Sequence, residues 1–300
     1  LGDVYKRQFL WRAEYMHSFF YGWYFKCQSA TQTLSIIPAV HKSGQKRSCS
    51  IQIITENHTW NVDFPVSAFH RTGGNIQIGR NRFGERGILL AIHTPELKIH
   101  GKLNFGPLSP LKYDIMGPFS IFPFLECRHC VLSMQHSVYG RLYMNGQEYL
   151  FRDAFGYWEG DQGRSFPKEY AWTQCSFPDG SLMLSVADVP IAGFHIRGII
   201  GVVLWKGREY RLATYLGARA VQVQDGKLRI IQGNMELEAR LLEPASNPLK
   251  APANGAMTRT IHESAACRAF YRFRKGGNTL FSFKTNRASF EYEYKLPERV

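Results

Sequence analysis

Residues 131–152 read VLSMQHSVYGRLYMNGQEYLFR, and this stretch decides the fold. Leu132, Met134, Val138, Leu142 and Met144 share one parity, so a strand here has one apolar side. Asn145-Gly146 then supplies the dipeptide favoured in two-residue hairpin turns, because both central positions of a type I′ turn need positive φ. A second strand, Gln147–Arg152, returns. Working outward, Leu97, Ile99, Leu103 and Phe105 alternate with Lys98, His100, Lys102 and Asn104, which is the pattern of a half-buried strand. Pro178-Asp179-Gly180, Lys206-Gly207 and Asp225-Gly226 each separate β-rich runs. The last run, Ala288–Tyr294, sets Ala288, Phe290, Tyr292 and Tyr294 against Ser289, Glu291 and Glu293. No stretch from Phe19 onward sustains a 3.6-residue apolar repeat. The expected fold is all-β, with two antiparallel barrel-like halves that remove open edges and leave room for a ligand. Residues 17–144 are assigned to the first half and 145–296 to the second. Leu242–Ala256 is expected to be a crossing loop, and His262–Cys267 a short helix.

The chain has 300 residues, enough for one large core or two smaller ones. Residues 1–8, LGDVYKRQ, read as a scar rather than native sequence and are set aside, leaving 9–300 as the folded region. No apolar run approaches the roughly 20 residues of a membrane-spanning helix. Six cysteines in a chain of this size form no secreted disulfide framework, so a reducing cytoplasm is the expected location. The net charge of +13 is spread in ones and twos. Its densest stretches, Arg80–Arg86 and Arg268–Lys275, suit a solvated strand face. Nucleic acid is not expected as a partner, whereas a peripheral contact with an anionic membrane stays open, and oligomeric state is not legible.

The candidate site is Gly156–Gln174, GYWEGDQGRSFPKEYAWTQ. On an extended backbone Tyr157, Glu159 and Asp161 share a face. Two acids that close do not both ionise cheaply, so one is expected to stay protonated near neutral pH and serve as a general acid. The competing reading is a solvated turn, since Gly160, Gly163 and Pro167 are turn residues. His136 falls on the apolar side of its strand, as a candidate base or as a hydrogen-bonded core histidine. Cys127-Arg128-His129-Cys130 invites a zinc reading, but no second pair exists and residues i and i+3 of a strand face opposite sides. No metal and no cofactor are expected, and no phosphate loop or dinucleotide fingerprint occurs. Tyr21, Trp23 and Phe25 share a face that would line a cavity or fill a core with the same atoms.

Four segments together, FFYGWYFK (Phe19–Lys26), PFLECRHCVLSMQHSVYGRL (Pro123–Leu142), GYWEGDQGRSFPKEYAWTQ and the tail IHESAACRAFYRF with RASFEYEY, resemble the tocopherol cyclase family over nearly the whole chain. The resemblance implies a lipocalin-like, calycin-type pair of barrels, related in architecture to carotenoid 1,2-hydratase. It also implies acid-triggered closure of a prenylated quinol, or a related isoprenoid, to a chroman. Two departures stand out. The family reads F-E-G-W-Y-F where this chain has Tyr21, and E-K-[DN]-W-G where it has Glu159-Gly160-Asp161-Gln162-Gly163. The catalytic set implied is Glu159, Asp161, His136 and the replaced position Tyr21. Trp23, Tyr24, Trp158 and Trp172 would supply electron-rich faces for a carbocation, and Tyr157, Gln162, Phe166 and Gln174 complete the substrate-binding set. Loss of the acid at Tyr21 leads us to expect weak activity on tocopherol precursors. The competing function is a non-catalytic binder of isoprenoid or other lipid.

Overall fold

The computed structural model describes residues 17–121, 125–191, 194–243 and 247–294. The expected scar at residues 1–8 lies outside them. The chain forms β1 (Ser18–Gln28), β2 (Thr33–Ser43), β3 (Lys46–Ile54), β4 (Thr59–Phe64), β5 (Phe69–Thr72), β6 (Asn75–Ile78) and β7 (Asn81–Gly84). It continues with β8 (Gly87–His93), β9 (Lys98–Phe105), β10 (Cys127–Met144), β11 (Gln147–Gly163), β12 (Tyr170–Phe177), β13 (Gly180–Ile191) and β14 (Phe194–Trp205). Then follow β15 (Arg208–Ala213), β16 (Arg219–Gln224), β17 (Lys227–Gln232), β18 (Met235–Leu241), β19 (Asn247–Ala253), β20 (Ala256–Lys275) and β21 (Asn278–Tyr292). The regular helical pieces among the described residues are short 3-10 turns.

The strands make two antiparallel sheets of one design. β1–β11 form the first, and its last strand, β11, pairs back onto its first, β1. β12–β21 form the second, and β21 pairs back onto β12. Each meander thus returns on itself, with one interval, β4 to β5 or β15 to β16, crossed by a 3-10 turn at Val66–Ala68 or Thr214–Leu216. The all-β expectation of two barrel-like halves is what the chain forms. Asn145 and Gly146 both have positive φ at the turn joining β10 to β11, as do Lys206-Gly207 and Asp225-Gly226 at theirs. These are the hairpins that the dipeptides specify.

The position 144/145 is that hairpin turn, inside the first sheet. The chain passes from one sheet to the other in residues 164–169, because β11 is held by β1 on one side and β10 on the other. The tail also differs from expectation. Residues 247–253 are not a loop but β19, and 262–267 are not helical but part of β20, whose register slips at Ser264 and Cys267. Small residues on both parities had hidden a strand that is buried on both faces.

Even-numbered residues of β1 face the second half. Tyr24 Oη lies 3.0 Å from Ser289 Oγ, Lys26 Nζ donates to Arg287 O at 2.8 Å, and Gln28 Nε2 donates to Ser176 O at 3.3 Å. Odd-numbered residues fill the first barrel, where Trp23 and Phe25 join Trp158 in one core and Phe25 stacks on Trp158 at 4.9 Å. Fully burying an aromatic of this kind contributes about 2–3 kcal/mol. A separate apolar cluster, including Tyr24, Tyr157, Tyr170 and Trp172, lies where the sheets meet, and the candidate site is built there.

Candidate active site

β10 and β11 set His129 directly opposite Asp161 and Val131 opposite Glu159. Cross-strand partners project from the same face. The His129 ring therefore reaches both acids: Nδ1 is 2.9 Å from Asp161 Oδ1, and Nε2 is 3.2 Å from Glu159 Oε2, at ion-pair distance but not aligned as a hydrogen bond. Glu159, only 4 % exposed, collects further donors on Oε2, from Tyr157 Oη at 2.5 Å and Trp172 Nε1 at 3.3 Å. Burial raises the Glu159 carboxyl above its usual range, against the opposing pull of His129 and with help from Asp161. Burial alone would lower His129, yet Glu159 and Asp161 together outweigh it and hold the imidazole well above its ordinary value. The group is an imidazolium gripped between two carboxyls.

It forms the polar part of a cavity of about 340 Å³. Met116, Phe119 and Leu125 from the β9–β10 connection, Phe166 from the crossing segment, and Ile199 and Ile200 from β14 give the rest an apolar lining. Trp172 and Tyr170 stand at the cavity from β12, and Glu291 from β21. A few polar groups converging in an apolar cleft is the usual make-up of a small-molecule site. His129, Glu159 and Asp161 also offer one ligand atom each within 4.8 Å of one another, a set that could hold a cation. Their proximity is already accounted for by the ring bonded between the acids.

Of the residues expected at the site, Glu159, Asp161, Phe166 and Trp172 line this cavity. Tyr157 stands behind Glu159, and Tyr24 packs edge-on against Trp172 with ring centroids 5.3 Å apart. The others lie elsewhere. His136 is buried in the first barrel, its Nδ1 2.9 Å from Ser133 Oγ and its ring 4.4 Å from Phe105, and burial pushes it down to about 4. Trp23 and Trp158 are first-barrel core. Tyr21 stacks on Trp23 at 4.1 Å beneath the Arg71 guanidinium and is paired with Gln162. Gln174 is buried and donates to Ser176 Oγ at 3.0 Å. Cys127 lines the cavity, 3.6 Å from Asp161 Oδ1, whereas Cys130 donates to Gly160 O at 3.2 Å on the other face of β10.

Two residues escaped the sequence reading. His129 was weighed only as a zinc ligand. Its place between the two acids depends on the register of β10 on β11, which slips at three places along the ladder. Glu291 stands in the sequence only on the face opposite Ala288 and Phe290, and nothing there shows that the last strand is buried on both sides from Ala288 to Glu291.

Residues 91–219 match the family model described as tocopherol cyclase-like. Over that span the chain is similar to that family. The match takes in the second and third motifs, the cavity's acid–histidine group and the crossing segment. No curated protein matches the chain in sequence. Among solved structures the chain is similar to a putative AttH from Nitrosomonas europaea, with 9 % identity, a TM-score of 0.55 and 93 % of each chain covered. It is similar to kievitone hydratase from Nectria haematococca, with 9 % identity, a TM-score of 0.55, and 90 % of this chain and 88 % of that one covered. It is also similar to CghA, with 10 % identity, a TM-score of 0.60, and 92 % and 88 % covered. At such identities the likeness is one of fold. Among the described residues no helix is long and apolar enough to cross a membrane.

Proposed function

We propose that the protein is a cyclase of the tocopherol cyclase type, closing a prenylated quinol or a related hydroxylated isoprenoid to a chroman-type ring. The observation that carries this reading is the His129 ring held between Glu159 and Asp161 at one wall of an otherwise apolar cavity. Ring closure of this kind begins with protonation of an alkene. The tertiary cation that results needs water excluded and electron-rich faces nearby. The apolar lining supports the first requirement, and the indole of Trp172 and the ring of Phe166 support the second. The substrate hydroxyl then attacks and must lose its proton. Glu159 is the base in this reading, because donors from Tyr157 and Trp172 and the adjacent His129 favour its charged form. Similarity to the tocopherol cyclase-like family over residues 91–219 supports the same reaction class.

The test is incubation with a prenylated quinol and chromatography of the products. Chroman formation that Glu159→Gln abolishes, with binding kept within a few fold, is the expected result, since only the transition state loses an interaction. A wild-type protein that binds the quinol and returns it unchanged is a binder, and the cyclase reading then fails.

A further inference from the structure

The tail of the chain sends two carboxyl groups into the same region, and the reaction above leaves both unassigned. Glu291 lines the cavity. Its Cα partner on β12 is Trp172, the residue whose indole N–H is donated to Glu159, and all three residues line the cavity. Tyr170 Oη donates to Glu291 Oε2 at 2.5 Å, which leaves Oε1 to carry a proton. On its other side, across β20, the Cα partner of Glu291 is Glu263. Glu263 is completely buried, and neither of its oxygens has a well-formed hydrogen bond, although the Tyr24 hydroxyl is close enough to favour its charged form. The buried cation of that region, Lys26 on β1, gives its Nζ to Arg287 O.

Cross-strand partners share a face, and two acids buried side by side do not both ionise. Burial, then Glu263, with Glu159 and Asp161 acting in the same direction, holds Glu291 well above the carboxylate range against the hydrogen bond from Tyr170. Burial raises Glu263 to about 7, with Glu159 adding to the rise while Tyr24 and Lys26 oppose it. The contrast with Glu159 lies in the neighbours: His129, Tyr157 and Trp172 all favour or donate to Glu159, whereas Glu291 accepts from Tyr170 and faces a second buried acid.

We propose that Glu291 is the proton donor of the cavity, and that Glu263 is a positioning residue that keeps it protonated. This rests on the cyclase reading. The Glu291 O–H bond breaks as the alkene π pair forms the new C–H bond, leaving a carboxylate that Tyr170 hydrogen-bonds. A hydroxyl lone pair of the substrate closes the C–O bond on the cation, and the hydroxyl proton passes to Glu159. The product is an isomer of the substrate. Between turnovers Glu159 releases its proton to solvent and Glu291 takes one up.

Infrared difference spectroscopy of the resting protein near neutral pH, paired with turnover of a prenylated quinol, tests this. A protonated-carboxyl carbonyl band that Glu291→Gln removes is expected, with turnover lost in the same variant. In Glu263→Gln the pH midpoint of that band should move downward, a change that a merely structural role for Glu263 would not produce. A wild type that turns over, with Glu291→Gln either equally active or unchanged in its carboxyl band, overturns the donor role alone. A wild type with no turnover overturns the cyclase reading and the donor role together.

Discussion

Tyr21 and Gln162 are Cα partners across β1 and β11, turned into the first barrel on the face opposite to Glu159 and Asp161. Gly160, which belongs with Gln162 to the second departure from the family pattern, pairs with Trp23 on that same face, and a side-chain carbon there would meet Cys130 Sγ and Trp23 at 3.4 Å. The departures form one patch, and that patch does not belong to the cavity. Burial pushes the Tyr21 phenol up to about 12, so it stays neutral beneath Arg71. Restoring the family residues with Tyr21→Glu and Gln162→Trp is therefore expected to leave the rate of chroman formation unchanged. Tyr21→Phe should alter stability by no more than about 1 kcal/mol, measured by denaturant unfolding. A gain of activity in the double variant would return this patch to the reaction.

His129 should carry its proton well past the ordinary imidazole range, and a pH titration followed by nitrogen NMR measures this. Its folded-state value is raised, so its contribution to stability is complete below the unfolded value of about 6.5 and is lost as pH rises through the higher folded value. His129→Asn should remove that stretch of pH dependence. It also leaves the buried Glu159 close to Asp161 without a cation between them, which should raise Glu159 further. An imidazole that titrates near 6.5 would show that the ring is not gripped between the acids.

Glu263 gives stability the same direction of pH dependence for a different reason. Between the unfolded carboxyl value and about 7 the native protein holds a proton that the unfolded chain has released, so stability falls as pH rises across that window. Glu263→Gln should stabilise the protein by up to about 3 kcal/mol near pH 8, with the gain disappearing toward about pH 4.5. Thermal unfolding at the two pH values decides this. A loss of stability at both would mean that Glu263 is ionised and paired.

The fold was legible because its signals are local. Leu132 to Met144 alternate within one strand, and Asn145-Gly146 determines the turn with two residues. Half of the site was legible for the same reason, since parity along β11 is enough to set Glu159 and Asp161 on one face. His129 was not, because a straight count from the Met144–Gln147 pair would set it opposite Gln162, and the bulges shift it to Asp161. Bulges re-aim side chains without a reliable mark in the sequence. Trp23 and Trp158 were expected at the ligand and went to the core, since an aromatic on a strand buried on both sides reads alike from either face. Glu291 was not legible either. Alternation predicts a solvent face only where one side of the sheet meets water, and β21 at Glu291 is covered on both sides by the two halves of the protein.

Deuterium incorporation tests most directly whether the cavity's acids protonate an alkene and recover the hydroxyl proton. With a prenylated quinol turned over in deuterium oxide and the product analysed by mass spectrometry, one non-exchangeable deuterium per chroman is expected, at the carbon protonated in the first step, and none in substrate recovered with Glu159→Gln. Chroman formed without deuterium at carbon, or formed equally by the Glu159→Gln and Glu291→Gln variants, would contradict it.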